Sequence, residues 1–252
     1  MALSLRDRPR WGGRRAGAGR TRGERPAMRH VSRDRFGRLV PAHVTLRLRS
    51  DAPSLRTVPI VRAIERTFAA ACERRGFRLV HYSLQGNHAH LIVEANDESS
   101  LGRGMMAIGG RLARAVNRVA KRTGPVLADR YHVRRLATPN EVRNALRYVL
   151  LNARHHLGKR ARTAARAIER LLDPASSARW FDGWKLASIA APNTIARSAA
   201  AHPRPVARAR TWLLTVGWRR HGLLDPTDVP GHPRPTAAPP TPASTRSRAP
   251  AS

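Results

Sequence analysis

Few residues in this chain have the types and spacing to do chemistry. His88 and His90 stand two apart in the run Gln85-Gly86-Asn87-His88-Ala89-His90-Leu91-Ile92-Val93-Glu94. On a β-strand, alternate side chains share a face. Both imidazoles then project side by side, and Ala89, Leu91 and Val93 point the other way. Two converging imidazoles are half of a metal site. A half-buried strand carrying two ordinary histidines reads the same way. Further along, Tyr148 and Asn152 are four apart in a helical run, so they share one face, one turn apart. A lone helical tyrosine is also a common amphipathic packer with its hydroxyl at the rim. Together the four residues make a working set for phosphoryl transfer. His88 and His90 can hold a divalent cation, and Asn152 can add a side-chain oxygen. Such a cation neutralises charge at a scissile phosphate. The Tyr148 hydroxyl, with an unperturbed pKa of about 10, must lose its proton before it attacks phosphorus. Attack would give a phosphotyrosine that keeps the bond energy for rejoining.

The elements that must position these residues follow from periodicity. His43 to Arg49 alternates, with Val44, Leu46 and Leu48 inward and Thr45, Arg47 and Arg49 outward. Val61, Ile64, Phe68, Ala71 and Cys72 recur at helical spacing over 58–75, with Gly76 as the expected stop. Phe77 to Leu84 reads as a second strand, Gly86-Asn87 as a turn and His88 to Ala95 as a third strand. Asn96 to Ser100 caps a helix reaching about Arg122, whose buried stripe includes Leu101, Met105, Ile108 and Leu112. Its glycines weaken the start, and no Walker pattern accompanies them. A fourth strand is expected around Tyr131 to Leu136. Thr138, Pro139 and Glu141 form a capping-box start for a helix running to about Leu157, which carries Tyr148. Strand, helix, strand, strand, helix, strand is the ferredoxin-like order. The expected fold class is α+β: a ferredoxin-like antiparallel sheet with helices on one face, a further helix bearing the tyrosine and a helical C-terminal extension.

Composition narrows the partner. Lys and Arg number 48 against 16 acidic residues, a net charge of +32, and lysine occurs only at 121, 159 and 185. Arginine grips phosphate through paired donors and stacks on bases, so a nucleic acid is the expected partner. Candidate phosphate contacts are Arg47 and Arg49 on the first strand, Arg130, Arg134 and Arg135 around the fourth, and Arg147 beside the tyrosine. The single cysteine, Cys72, excludes an intramolecular disulfide and a cysteine-based zinc site. No apolar run approaches membrane-spanning length, and the basic N-terminus lacks the apolar segment of a secretory signal. A cytoplasmic, nucleoid-associated protein is the expectation.

Three motifs together resemble the single-tyrosine HUH transposases, most of all the branch of REP-associated tyrosine transposases. They are Asn87-His88-Ala89-His90-Leu91-Ile92-Val93, Asp129-Arg130-Tyr131-His132 and Tyr148-Val149-Leu150-Leu151-Asn152. The resemblance implies Mg²⁺ or Mn²⁺ held by His88, His90 and Asn152, with Tyr148 as the nucleophile. It implies cleavage of single-stranded DNA through a 5′-phosphotyrosine link, recognition of hairpin DNA and, as in many members, a homodimer. A non-catalytic, domesticated nucleic-acid binder on the same fold is the alternative. The chain departs from the pattern at Ala89, smaller than the usual hydrophobe, and after Asn152, where Ala153-Arg154-His155-His156 replaces a proline. His155 or His156 would join the site, or else offset the helix dipole at its C-terminus.

The expected organisation is a basic arm over 1–38, the transposase-like domain over 39–158, an Arg/Ala-rich helical extension over 159–225 and a tail over 226–252. The arm holds twelve arginines against three acidic residues, and neither it nor the Pro-, Ala- and Thr-rich tail can bury enough apolar surface to fold alone. Met28 is an alternative start. Trp180, Trp184, Trp212 and Trp218 in the extension either pack on the core or offer a stacking platform to unpaired bases.

Overall fold

The computed structural model describes residues 39–156, 172–185, 200 and 203–228, with the side chains of 153–156 excepted. The basic arm, most of the tail and the side chains of His155 and His156 lie outside the described residues.

The chain runs β1 (Val40–Arg47), α1 (Val58–Ala69), β2 (Glu73–Arg74), β3 (Phe77–Leu84), β4 (His88–Ala95), α2 (Glu98–Val119), β5 (His132–Arg135) and α3 (Pro139–His156). A 3-10 turn at Ser177–Trp180, a short α4 (Trp212–Thr215) and a 3-10 turn at Gly217–His221 follow. The sheet order is β2-β3-β4-β1-β5. β1–β4, β1–β5, β2–β3 and β3–β4 all pair antiparallel. Apart from the two-residue β2, this is the ferredoxin-like sheet. No helix among the described residues is long and apolar enough to cross a membrane.

Alternation along the strands splits the interior into two layers. Val44, Leu46, Leu79, Tyr82, Ala89, Leu91 and Val93 pack against Ile64 and Phe68 of α1 and Ile108 and Leu112 of α2. On the other face, Val80 and Ile92 meet Val142, Leu146, Val149 and Leu150 of α3, together with Trp184 and Trp218. Alternation turns Val80 to that second layer, and a register shift between Leu79 and His81 brings Tyr82 and Leu84 back to the first.

Local chemistry explains the boundaries. Asp97 caps α2 by accepting from the Ser100 backbone N–H at 2.7 Å. At α3, the Glu141 N–H donates to Thr138 Oγ1 at 3.2 Å and Glu141 Oε2 accepts from the Thr138 N–H at 3.2 Å, the reciprocal capping box the sequence predicts.

Two expectations change. The first helix ends at Ala69, and Gly76 does not stop it. Beyond Ala69 the backbone joins the sheet: the Leu79 N–H donates to the Cys72 carbonyl at 2.7 Å. Gly76, at φ +74°, sits in the two-residue turn joining Arg74 to Phe77. A left-handed glycine serves such a hairpin as well as a helix end. Tyr131 precedes β5, which begins at His132.

The tryptophans mostly pack. Trp180, Trp184 and Trp218 are buried, and Trp212 is 47% exposed with the Arg220 guanidinium 4.8 Å above its ring.

His81 makes stability pH-dependent. Burial, and then the charge of Arg204, lower its pKa from 6.5 to about 3. The unfolded chain binds a proton near 6.5 that the folded chain refuses until about 3, so this contribution to stability is complete above 6.5 and lost as pH falls through that window. Between pH 7 and 4.5, His81 should cost about 2–3 kcal/mol of unfolding free energy. Denaturant melts at both pH values, compared with His81→Asn, measure it; an equal acid loss in the variant would refute the assignment.

Candidate functional site

The β-strand alternation that buries Ala89, Leu91 and Val93 turns His88, His90, Ile92 and Glu94 toward α3. The β1–β4 register places Arg47 opposite His88, Thr45 opposite His90 and His43 opposite Ile92. His43 and Thr45 therefore share the histidine face. On α3, Glu141, Asn144, Tyr148 and Asn152 follow at spacings of three and four and make one stripe.

These side chains converge. The rings of His88 and His90 are 4.6 Å apart, and those of His90 and Tyr148 are 5.0 Å apart. The Tyr148 hydroxyl lies 3.4 Å from His90 Nε2. On the other side of the ring, His90 Nδ1 is 3.2 Å from both His43 Nε2 and Thr45 Oγ1. Burial and the nearby Arg134 charge lower the His43 pKa to about 4, so His43 is neutral at neutral pH and can accept a hydrogen bond there. A proton on His90 Nδ1 satisfies these neighbours and leaves the Nε2 lone pair facing the tyrosine. His88 Nδ1 lies 2.8 Å from Asn87 Oδ1. An amide oxygen only accepts, so Nδ1 of His88 carries the proton and Nε2 the lone pair. Both histidines thus present Nε2 as the donor atom, each oriented by a partner at Nδ1.

Asn152 is 1% exposed, and neither its Oδ1 nor its Nδ2 has a hydrogen-bond partner among the described residues. A buried amide left this way costs free energy unless something satisfies it. Among the described residues, no three His, Cys, Asp or Glu side chains are grouped to hold a metal. Two imidazole nitrogens and an amide oxygen nevertheless fit a divalent cation that accepts both donor types.

The arginines separate. Arg134 stands opposite His43 on β5 and donates to Glu141 Oε1 at 3.1 Å. Arg147 neighbours Tyr148 and lies 3.5 Å from Asp228. Arg47 ends β1 on the histidine face. Arg135 alternates with Arg134 and points to the opposite face of β5. Arg49 pairs with Asp51 at 3.0 Å, and exposed Arg130 lies in the loop before β5.

His43 and Thr45 escape the sequence reading as site residues. The alternation of β1 assigns them to the polar face, and only the strand register sets that face against His90. Tyr148 is 38% exposed, so the hydroxyl can meet a macromolecular substrate. A cleft of about 550 Å³, bordered by Arg74, Arg75 and Arg103, lies at the Phe77 end of the sheet and is lined by no histidine or tyrosine.

Fold and site together define an α+β protein with a ferredoxin-like sheet and a histidine–tyrosine cluster on one sheet face. No family model matches the chain, and no curated protein matches it. Solved structures that it is similar to include two transposases. One is a REP-associated tyrosine transposase bound to a REP hairpin, with 15% identity and a TM-score of 0.41 over 51% of this chain and 74% of that one. The other is a candidate transposase of Deinococcus radiodurans R1, with 13% identity and a TM-score of 0.33 over 45% of this chain and 87% of that one.

Proposed function

We propose that this chain is a metal-dependent transposase that cuts and rejoins single-stranded, hairpin-containing DNA through a 5′-phosphotyrosine. The observation that carries the reading is the approach of the Tyr148 hydroxyl to His90 Nε2, with the unpartnered Asn152 amide one turn away on the same helix. A tyrosine merely packing would not need an oriented imidazole at its hydroxyl. His88, His90 and Asn152 would hold Mg²⁺ or Mn²⁺, which when bound supplies Lewis-acid stabilisation of charge on the phosphate. Tyr148 attacks phosphorus: its O–P bond forms, the bond to the 3′ oxygen breaks, the phenol loses its proton and the 3′ oxygen gains one. Arg47, Arg134 and Arg147 border the reacting side chains and position the strand. Arg49, Arg130 and Arg135 serve the backbone farther off. Such contacts position the strand without specifying its sequence.

The test incubates short single-stranded hairpin DNAs from sequence flanking the gene with Mn²⁺ or Mg²⁺ and runs a denaturing protein gel. A covalent protein–DNA band that disappears with chelator supports the reading. Cleavage without the band assigns the site to water-using hydrolysis. DNA affinity should fall steeply with salt, because bound arginines release counterions; a flat salt profile in a filter-binding titration would remove DNA as the partner.

His43→Leu takes one acceptor from His90 Nδ1. Losing such an outer contact costs metal affinity about 10–100-fold. The effect should lie near tenfold, because Thr45 Oγ1 remains at 3.2 Å; His43→Leu with Thr45→Val should approach the upper figure. Calorimetric titration with Mn²⁺ measures both, and unchanged affinity in the double variant would end this assignment.

A further inference from the structure

We propose that the cleft between β5 and α3 holds the unpaired nucleobase next to the phosphate attacked by Tyr148, with Asn144 reading the edge of that base. This rests on the tyrosine reading above and extends it to sequence choice.

The cleft has a volume of about 430 Å³ and is bordered by His43, Leu136, Ala145 and Tyr148, with Arg134 and Asn144 among its polar lining. That volume falls in the range of sites that enclose a small organic group. His43 and Tyr148 meet edge to face, with ring centroids 5.9 Å apart. Two such rings beside Leu136 and Ala145 give a flat base an aromatic and apolar surface to stack on. Arg134 and Arg147 line the cleft against a single acid, Glu141, so the matching occupant carries phosphate.

Asn144 supplies selectivity. It sits one helical turn before Tyr148 on the same stripe and is exposed. Its amide makes one long hydrogen bond, Nδ2 donating to Asn140 Oδ1 at 3.4 Å. It can therefore turn a donor and an acceptor together toward a base edge, as asparagine does for adenine. Arg134 forms the facing wall, fixed to the α3 cap through Glu141. It is 71% exposed along its side chain, so it can reach a phosphate without leaving Glu141. β5 is the edge strand, so the cleft opens at the side of the sheet, where an extended single strand can enter and leave.

The test uses hairpin DNA with a single-stranded flank in which 2-aminopurine replaces each flank base in turn. Binding is read by fluorescence with the uncut Tyr148→Phe protein, so the result does not depend on cleavage. One position should be quenched, and the quench should weaken when Asn144→Leu is added. Covalent-adduct rates are then compared for the four natural bases at that position. Wild type should discriminate by about tenfold, the scale of one side chain reading one base edge. Asn144→Leu should compress the range to about twofold, and Asn144→Gln should restore part of it. No quenched position in the flank, or discrimination that survives Asn144→Leu, overturns the proposal. If no adduct forms on any DNA, the tyrosine reading falls, and the 2-aminopurine measurement still decides the cleft.

Discussion

Tyr148→Phe should abolish the covalent protein–DNA adduct while DNA affinity stays within a few-fold of wild type. The substitution removes one oxygen. The aromatic ring keeps its place against His90 at 5.0 Å and His43 at 5.9 Å, so packing of α3 against the sheet is preserved. What is lost is the attacking atom and its 3.4 Å contact with His90 Nε2. Removing a nucleophile that works as a unit with its neighbours costs on the order of 10⁴–10⁶ in the chemical step. No other tyrosine stands in. Tyr82 lies in the opposite layer, where its hydroxyl donates to Glu65 at 2.9 Å, and burial pushes its pKa well above the usual phenol value. Tyr131 packs against that same layer. The measurement is single-turnover adduct formation, with filter binding in parallel. A persistent adduct would show that another residue attacks, and an equal loss of binding would mean that the substitution damaged the fold.

Glu94→Ala should lower the unfolding free energy by about 3–5 kcal/mol, the usual result of removing one partner from a buried charged network. Glu94 is 0% exposed and points to the α3 side of the sheet. Its carboxylate accepts from the Arg210 N–H at 2.9 and 3.0 Å and from the Thr211 N–H at 2.7 Å. Arg78 Nη1 lies 3.9 Å away. In the variant, the Arg210 and Thr211 backbone donors lose their acceptor inside the protein, and Arg78 loses a nearby charge while keeping its bond to Glu73. The melting temperature should fall by roughly 10 °C. Thr211 caps α4 through its hydroxyl, and Trp218 just beyond is fully buried in the α3 layer. Arg143 of α3 donates to the Gly222 carbonyl at 3.0 Å. Loosening 203–228 should therefore also slow adduct formation, because that segment braces the helix bearing Tyr148. Thermal melts and limited proteolysis across 203–228 test both statements; an unchanged melt would show that the carboxylate is not the anchor.

The extension shows how far composition reaches. Its tryptophans read equally well as packing or as a platform for bases. Packing prevailed for Trp184 and Trp218 because α3 offers them an apolar face, and for Trp180 because it joins the opposite layer with α1 and α2. Nothing in residues 172–228 announces that face, since it belongs to another element. Gly76 shows the converse limit. Its backbone freedom was legible, but helix stop and hairpin turn need the same left-handed conformation, and sheet pairing beyond Ala69 decided between them.

The sequence by itself determined the strands that carry the histidines, the capped helix that carries the tyrosine, and the ferredoxin-like order of elements. Alternation, turn residues and the Thr138–Glu141 box are local signals, and each strand or helix obeys its own. Tertiary structure alone brought His43 and Thr45 to His90 Nδ1, buried Asn152 without a partner and opened the cleft beside Asn144. Those outcomes depend on which residue of β1 lies opposite which residue of β4, and on how α3 lies across the sheet. A slip of one residue in β1 would turn His43 and Thr45 to the opposite face. Register and helix placement are settled by packing between residues distant in sequence, so no local pattern encodes them.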